Sequence, residues 1–345
     1  MRNFLGSILV TVLGLGIVFY KGGWEPFFIC VVLAVMEVSI SLDNAVVNAA
    51  VLKNMDQFWR KMFLTLGMLI AVFGMRLILP IWIVAMALGS KLTATVDMAL
   101  NRPEEYGQAL HACELSIASF GGMFLLLVFL QFIFDHERNI HWLKPIESRL
   151  CKAGKLDTVE VVVALCCLLV YVSYVPVEKK FTCLVAGAIG VIGFLLLDGI
   201  KSLAANTGSA AGGASVAKSA MRAGLGGFIY LEVLDASFSL DGVVGAFALS
   251  KNVLVIMIGL AIGAMFVRSL TIYMVEKGTL DQLQYLEHGA MWAIGALAGM
   301  MLIGALPGMR IPEWITGLSG AILITVAVIS SIREKKRGIV TAPLK

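Results

Sequence analysis

Charge is scarce in this sequence. Only 14% of its 345 residues are Asp, Glu, Lys or Arg, against roughly 25% in soluble domains, which excludes a water-soluble fold. Histidine is scarcer still: His111, His136, His141 and His288 are the full set, and no HExxH pair marks a zinc-protease helix. The six cysteines form no Cys-x-x-Cys pair and no zinc-ligand spacing. They read as small packing residues in or beside apolar runs, not as a disulfide framework. No GKS or GKT follows a strand-like segment, so there is no phosphate loop. No GxGD pair marks an intramembrane protease.

What the chain has instead is grease. Hydrophobic residues make up 59% of it and the mean hydropathy is +0.91. Apolar runs of about 20 residues, long enough for a hydrocarbon core of about 30 Å, recur along the whole length. The pattern predicts an all-α polytopic membrane protein with ten spans. They fall near residues 4–20, 26–52, 62–88, 111–134, 159–176, 181–199, 224–249, 253–275, 285–306 and 312–332. No small-residue cleavage site follows the first run before "YKGGWEPFF", so it is expected to be kept as a span.

Of the 27 Lys and Arg, 18 fall on one set of loops, 7 on the other, and Arg76 and Arg268 within spans. That asymmetry predicts both termini in the cytoplasm. It also accounts for the net charge of +4, which therefore carries no expectation of a nucleic-acid partner.

The sequence repeats itself. "ISLDNAVVNAAVLKN" (40–54) aligns without a gap on "FSLDGVVGAFALSKN" (238–252), placing Asp43 on Asp241, Ser41 on Ser239 and Glu37 on Asp235. "GMLIAVFGMR" (67–76) follows on "GLAIGAMFVR" (259–268), with Arg76 on Arg268. "ELSIASFGG" (114–122) lies more weakly on "EHGAMWAIG" (287–295). Five spans per half is odd, so the halves are expected to be inverted, which places a shared site near the bilayer midplane. The expected organisation is a first half over 1–199 (repeat core 26–135), a flexible Gly/Ser/Ala-rich linker over 200–222, and a second half over 223–345. That second half holds repeat core 224–306 and a basic cytoplasmic tail.

The two repeated helices hold five acids: Glu37, Asp43, Glu232, Asp235 and Asp241. Each carboxylate in a span costs at least about 2.5 kcal/mol on insertion scales, and such residues mark pathways or pair with one another. Arg76 and Arg268 could pair with Glu37 and Asp235 as a purely structural arrangement, but three acids would still lack a counter-charge. The surplus asks for a cation, for protons, or for both. At 100° per residue, Glu37, Ser41, Asn44 and Asn48 fall within about 60° of one another, and Asp43 points elsewhere. Both acids of a repeat reach one ion only if the helix opens at "SLDN" and "SLDG"; otherwise each face serves a different purpose. Carboxylate, amide, hydroxyl and carbonyl oxygens favour hard divalent ions. His111, Glu114, Glu287 and His288 lie near span ends, either solvated or as a gate. Asp198 reads as interfacial or as part of a gate.

With its acidic "EVSISLDNAVV" segment, its second copy, and a Gly-rich span with an Arg after each, the chain resembles the TerC family of integral membrane proteins over roughly 26–135 and 224–306. That family is associated with tellurium resistance and manganese export and is related to LysE-type exporters. The resemblance implies Glu37, Asp43, Asn44, Asp235 and Asp241 as metal ligands. In the second copy Gly242 stands where the first has Asn44. The resulting expectation is no enzyme but a secondary transporter of the bacterial inner membrane. It would export a divalent metal cation as substrate, Mn2+ first and Ca2+ second, in exchange for protons. Ser41, Glu232, Ser239, Arg76 and Arg268 would support or gate the site. Its partners would be the lipid bilayer, the cation and protons, and a homodimer is compatible with it. The competing expectation is a non-transporting membrane scaffold for stress-resistance or secretion proteins, working through the basic loop 135–155.

Overall fold

Pro, Gly and capping side chains divide the apolar sequence into helices. Asp56 accepts the Trp59 amide (2.9 Å) and starts α4 (Gln57–Met62). Asn252 accepts the amides of Leu254 and Val255 and starts α13 (Val253–Lys277). These bonds satisfy donors that the first turn cannot. The computed structural model describes residues 4–53, 55–67, 69–136, 138, 140–154, 158–206, 214–250, 252–309 and 311–336. At 64, 200–206, 214–223, 240, 241, 244, 248, 313 and 314 it describes the backbone alone.

Every regular element among the described residues is a helix. In chain order these are α1 (Leu5–Gly22), α2 (Trp24–Ile40), α3 (Leu42–Leu52), α4, two π-helical stretches (Phe63–Gly67 and Ile70–Ile78) and α5 (Leu79–Leu88). The short α6 (Leu92–Asn101) and α7 (Pro103–Ala112) lead to α8 (Glu114–Phe134), α9 (Lys144–Ala153), α10 (Val159–Tyr174) and α11 (Val177–Asn206). The chain closes with α12 (Ala214–Leu249), α13, the single turn α14 (Thr279–Gln282), α15 (Leu286–Gly304) and α16 (Glu313–Lys336).

Among the described residues, seven helices are long and apolar enough to cross a bilayer, and α2 with α3, bent by 50° at Ser41, make an eighth if the pair is one broken span. The protein is an all-α polytopic membrane protein. Of the other two expected spans, 159–176 is the shorter α10 and 224–249 lies within the 36-residue α12. The expected linker is largely helical: α11 runs on to Asn206 and α12 begins at Ala214, leaving 207–213 outside the described residues. Arg337 and Lys345 of the tail lie outside them as well.

The helices interleave. Helix α2 packs on α13, and α12 packs on the π-helical stretch Ile70–Ile78. Helix α3 lies against α15, α12 against α8, and α8 against α15. Helix α12 runs antiparallel to α2–α4. Gly242 sits by Glu37, Asp235 bonds Asn44, and Gly224 sits by Trp59. One apolar core, including Phe124, Leu127, Leu231 and Ile294, fills the space between α3, α8, α12 and α15.

Candidate functional site

Ser41 is where α2 gives way to α3. Its backbone (φ −95°, ψ 15°) leaves the helical basin. Even so, its amide still donates to the Glu37 carbonyl (2.9 Å) and its carbonyl accepts from Ala45 (3.1 Å). The first acidic motif is therefore bent rather than unwound. The second differs from expectation: α12 passes through "SLDG" without a break. The larger irregularity sits elsewhere, in the π-helical residues 63–67 and 70–78 that carry Gly67 and Arg76.

Both arginines are buried, and both donate to carbonyls of that irregular segment. Arg76 bonds the Ala71 carbonyl at 2.7 Å. Its other terminal nitrogen holds Glu37 Oε1, which also accepts from the Ser41 hydroxyl at 3.0 Å. Arg268 donates to the Phe63 carbonyl, its guanidinium 4.3 Å from the Phe63 ring centroid. Its charge partner is Glu232 at 4.0 Å, beyond hydrogen-bond range. The structural pairing expected for Glu37 is thus present. The one expected for Arg268 and Asp235 is replaced, because Asp235 is engaged across the helix crossing by the side-chain amide of Asn44.

Close packing makes room for these groups. A Cβ on Gly263 of α13 would stand 2.5 Å from Glu37 Cβ and Cγ, and one on Gly67 would stand 2.3 Å from Glu232 Oε1. Small residues at such crossings let membrane helices approach closely.

Asp43 goes its own way, as the helical angles predict. It is 3% exposed, and its Oδ1 accepts the Asn44 amide at 2.9 Å. Its Oδ2 lies 3.9 Å from the Cβ position of Gly320 on α16, away from Glu37. The Asp241 side chain lies outside the described residues. Of the five expected ligands, the structure joins Asn44 to Asp235, pairs Glu37 with Arg76, and sets Asp43 apart. Among the described residues, no group of three or more His, Cys, Asp or Glu side chains could hold a metal ion. Oxygen donors remain: Asn44 Oδ1, Asn48 Oδ1, both carboxylate oxygens of Glu232 and Ser239 Oγ are buried with no hydrogen-bond partner.

One organising residue escaped sequence reading. Glu147 of α9 is 2% exposed and accepts the amides of Trp142 (2.9 Å) and Leu143 (3.3 Å) and the Trp292 indole (2.9 Å). His288 and His141 stand 3.7 and 3.8 Å from its Oε2. A Glu closing back on the amides ahead of a Pro-led helix, "LKPIE", is the signal that was there to read. His288 is buried and bonded to the Ile140 carbonyl, not solvated. His111 and Glu114 form a half-exposed pair at 3.6 Å. Asp198 accepts from Gln131 at 2.8 Å.

A helical bundle of bilayer-crossing length around a buried core of acids, amides and two arginines defines an integral membrane protein with a polar interior. Residues 42–338 match the model of a protein family of unknown function (DUF475), and the chain belongs to that family. No curated protein and no solved structure matches it.

Proposed function

We propose that the protein is a secondary transporter that exports a divalent metal cation, Mn2+ first and Ca2+ second, from the cytoplasm of a bacterial cell in exchange for protons. The observation that carries this reading is the buried surplus of oxygen chemistry. Among the described residues, the buried acids Glu37, Asp43, Glu232 and Asp235 outnumber the buried arginines Arg76 and Arg268, and five buried oxygen atoms in the same region lack a hydrogen-bond partner, against two arginine nitrogens, Arg76 Nε and Arg268 Nη2. Hard divalent ions are bound by carboxylate and amide oxygens of this kind.

The ion would bind between the two halves, in a state in which the helices open at "SLDN" and "SLDG" so that Asp43 and Asp241 join Asn44 and Asp235 as its ligands, with Glu37 joining when Arg76 turns away. Arg76 would hold the Glu37 carboxylate in the ion's absence, which removes the penalty of a lone buried charge. Protonating a carboxylate removes it as a ligand, so proton entry and metal release share the same groups. The exchange of partners between α2–α13 and α12–Ile70–Ile78, and between α3–α15 and α12–α8, supports two inverted repeats related across the bundle. The resemblance to the TerC family supports manganese as the cargo.

The test is Mn2+ flux into or out of proteoliposomes, with Asp43→Asn and Asp241→Asn as the variants. Flux that the parent sustains and both folded variants lose supports the reading. If a well-folded parent neither binds nor moves Mn2+ or Ca2+, the acids are structural and the scaffold reading replaces transport.

A further inference from the structure

We propose that the chain contains a second, separate site for a hard divalent cation, built from Glu232 of α12 and Asn48 of α3. The proposal rests on the transport reading, and Asn48 has no part in the ligand set given above.

The antiparallel register places the two residues together. Glu37 sits by Gly242, Asn44 is bonded to Asp235, and Met55 sits by Gly227. Asn48 is one turn beyond Asn44, and Glu232 is about one turn before Asp235. In antiparallel helices those steps run to the same side of the Asn44–Asp235 hydrogen bond. Glu37, Ser41, Ser239 and Gly242 fall on the other side. The bond therefore splits the polar core into two compartments.

The compartments differ in what remains free. On the Glu37 side, Oε1 is taken by Arg76 and Ser41. On the Glu232 side, neither carboxylate oxygen has a hydrogen-bond partner, nor has Asn48 Oδ1. Glu232 and Asn48 are 6% and 2% exposed. Leaving such atoms buried and unpaired is costly, at about 1–3 kcal/mol each and more for a charge. Arg268 relieves them only in part: its Nη1 is bound to the Phe63 carbonyl, and its Nη2, itself without a hydrogen-bond partner, stands 4.0 Å from Glu232 Oε1. One water has two protons to offer and would leave one of these three acceptors unmet. A divalent cation needs oxygens and no donors, and carboxylate and amide oxygens are the ligands it takes.

Gly67 fixes where the carboxylate stands, because any side chain there would meet Glu232 Oε1. The nearby Arg268 charge weakens the site. That suits a station through which an ion passes, which must bind well enough to admit the ion and loosely enough to release it. The Asn44–Asp235 bond is then the barrier between two stations, and the ion crosses when that bond opens.

The experiment is an Mn2+ titration of the full chain purified in detergent, read by calorimetry, with folding checked by thermal melting. Two ions should bind the parent. Asn48→Ala should bind one, or bind the second at least tenfold more weakly, and Asn48→Asp, which adds a charge at the same place, should tighten it. A parent that binds one ion, lost in Asp43→Asn and unchanged in Asn48→Ala, overturns the second site and leaves the transport reading standing. A folded parent that binds none overturns both.

Discussion

The side-chain amide of Asn44 donates to Asp235, joining residues 191 positions apart at the centre of the polar core. Among the described residues, Asp235 has no arginine within ion-pair range, so this bond is what holds its carboxylate.

Asn44→Ala should therefore destabilise the protein by about 1–3 kcal/mol, the penalty for a buried acceptor left without its donor. Asn44→Asp should lose more, because two carboxylates would meet where an amide and a carboxylate now pair, and added Mn2+ should restore its melting temperature. Thermal melting in detergent, with and without Mn2+, measures both. An Asn44→Asp protein as stable as the parent without metal would contradict the pairing.

The two arginines should differ. Removing one partner of a buried, hydrogen-bonded ion pair costs about 3–5 kcal/mol, so Arg76→Gln should fall in that range. The double variant Glu37→Gln/Arg76→Gln should recover part of the loss. Arg268→Gln should cost less through Glu232, which it does not hydrogen-bond, and should act chiefly through the Phe63 carbonyl. A double-mutant cycle over Glu37/Arg76 and Glu232/Arg268, read by denaturation midpoints, would show a larger coupling for the first pair.

Gly263→Ala should be harmful and Gly299→Ala silent. The new methyl would sit 2.5 Å from Glu37 in the first case and meet nothing within 4 Å in the second. Overpacking of this kind costs about 1–3 kcal/mol. Matching melting curves for the two alanine variants would refute the close approach of α2 and α13.

The loop side offers an independent check. Glu147→Ala removes the shared acceptor of Trp142, Leu143 and Trp292. Helix α9 should loosen and its exposed Arg149 and Lys152 become trypsin sites. Cleavage after Arg149 and Lys152 should speed up at least tenfold while the apolar helices stay intact. Unchanged cleavage would mean that α9 is held by its apolar contacts alone.

Much of this architecture is legible in the sequence, because bilayer length and apolarity leave few alternatives. The divergence of Asp43 from Glu37 follows from 100° per residue, and the pairing of Glu37 with Arg76 follows from charge scarcity. What could not be read was anything decided between helices. Arg268 has Glu232 at 4.0 Å, and Asn44 reaches Asp235 from another helix. Sequence spacing within α12 carries no trace of that arrangement. The bend at Ser41 and the continuity at "SLDG" have the same origin: both motifs contain the same Ser-Leu-Asp, and packing bends only one. Glu147 was hidden by its company, one of three acids in a basic loop, and its partners Trp292 and His288 lie some 140 residues away.

The π-helical stretches before Pro80 hold a residue more per turn than the α-helices that flank them. That surplus is slack, and slack can be passed along a helix without moving its ends. Handing one residue of it past Arg76 would turn the guanidinium by about 100° around the helix axis, out of line with Glu37, while α4 and α5 stayed where they are. The same short segment supplies the carbonyls that hold Arg76 and Arg268, so one local slip would reset both charges. A bundle whose outer helices never move could in this way still change which carboxylates are free.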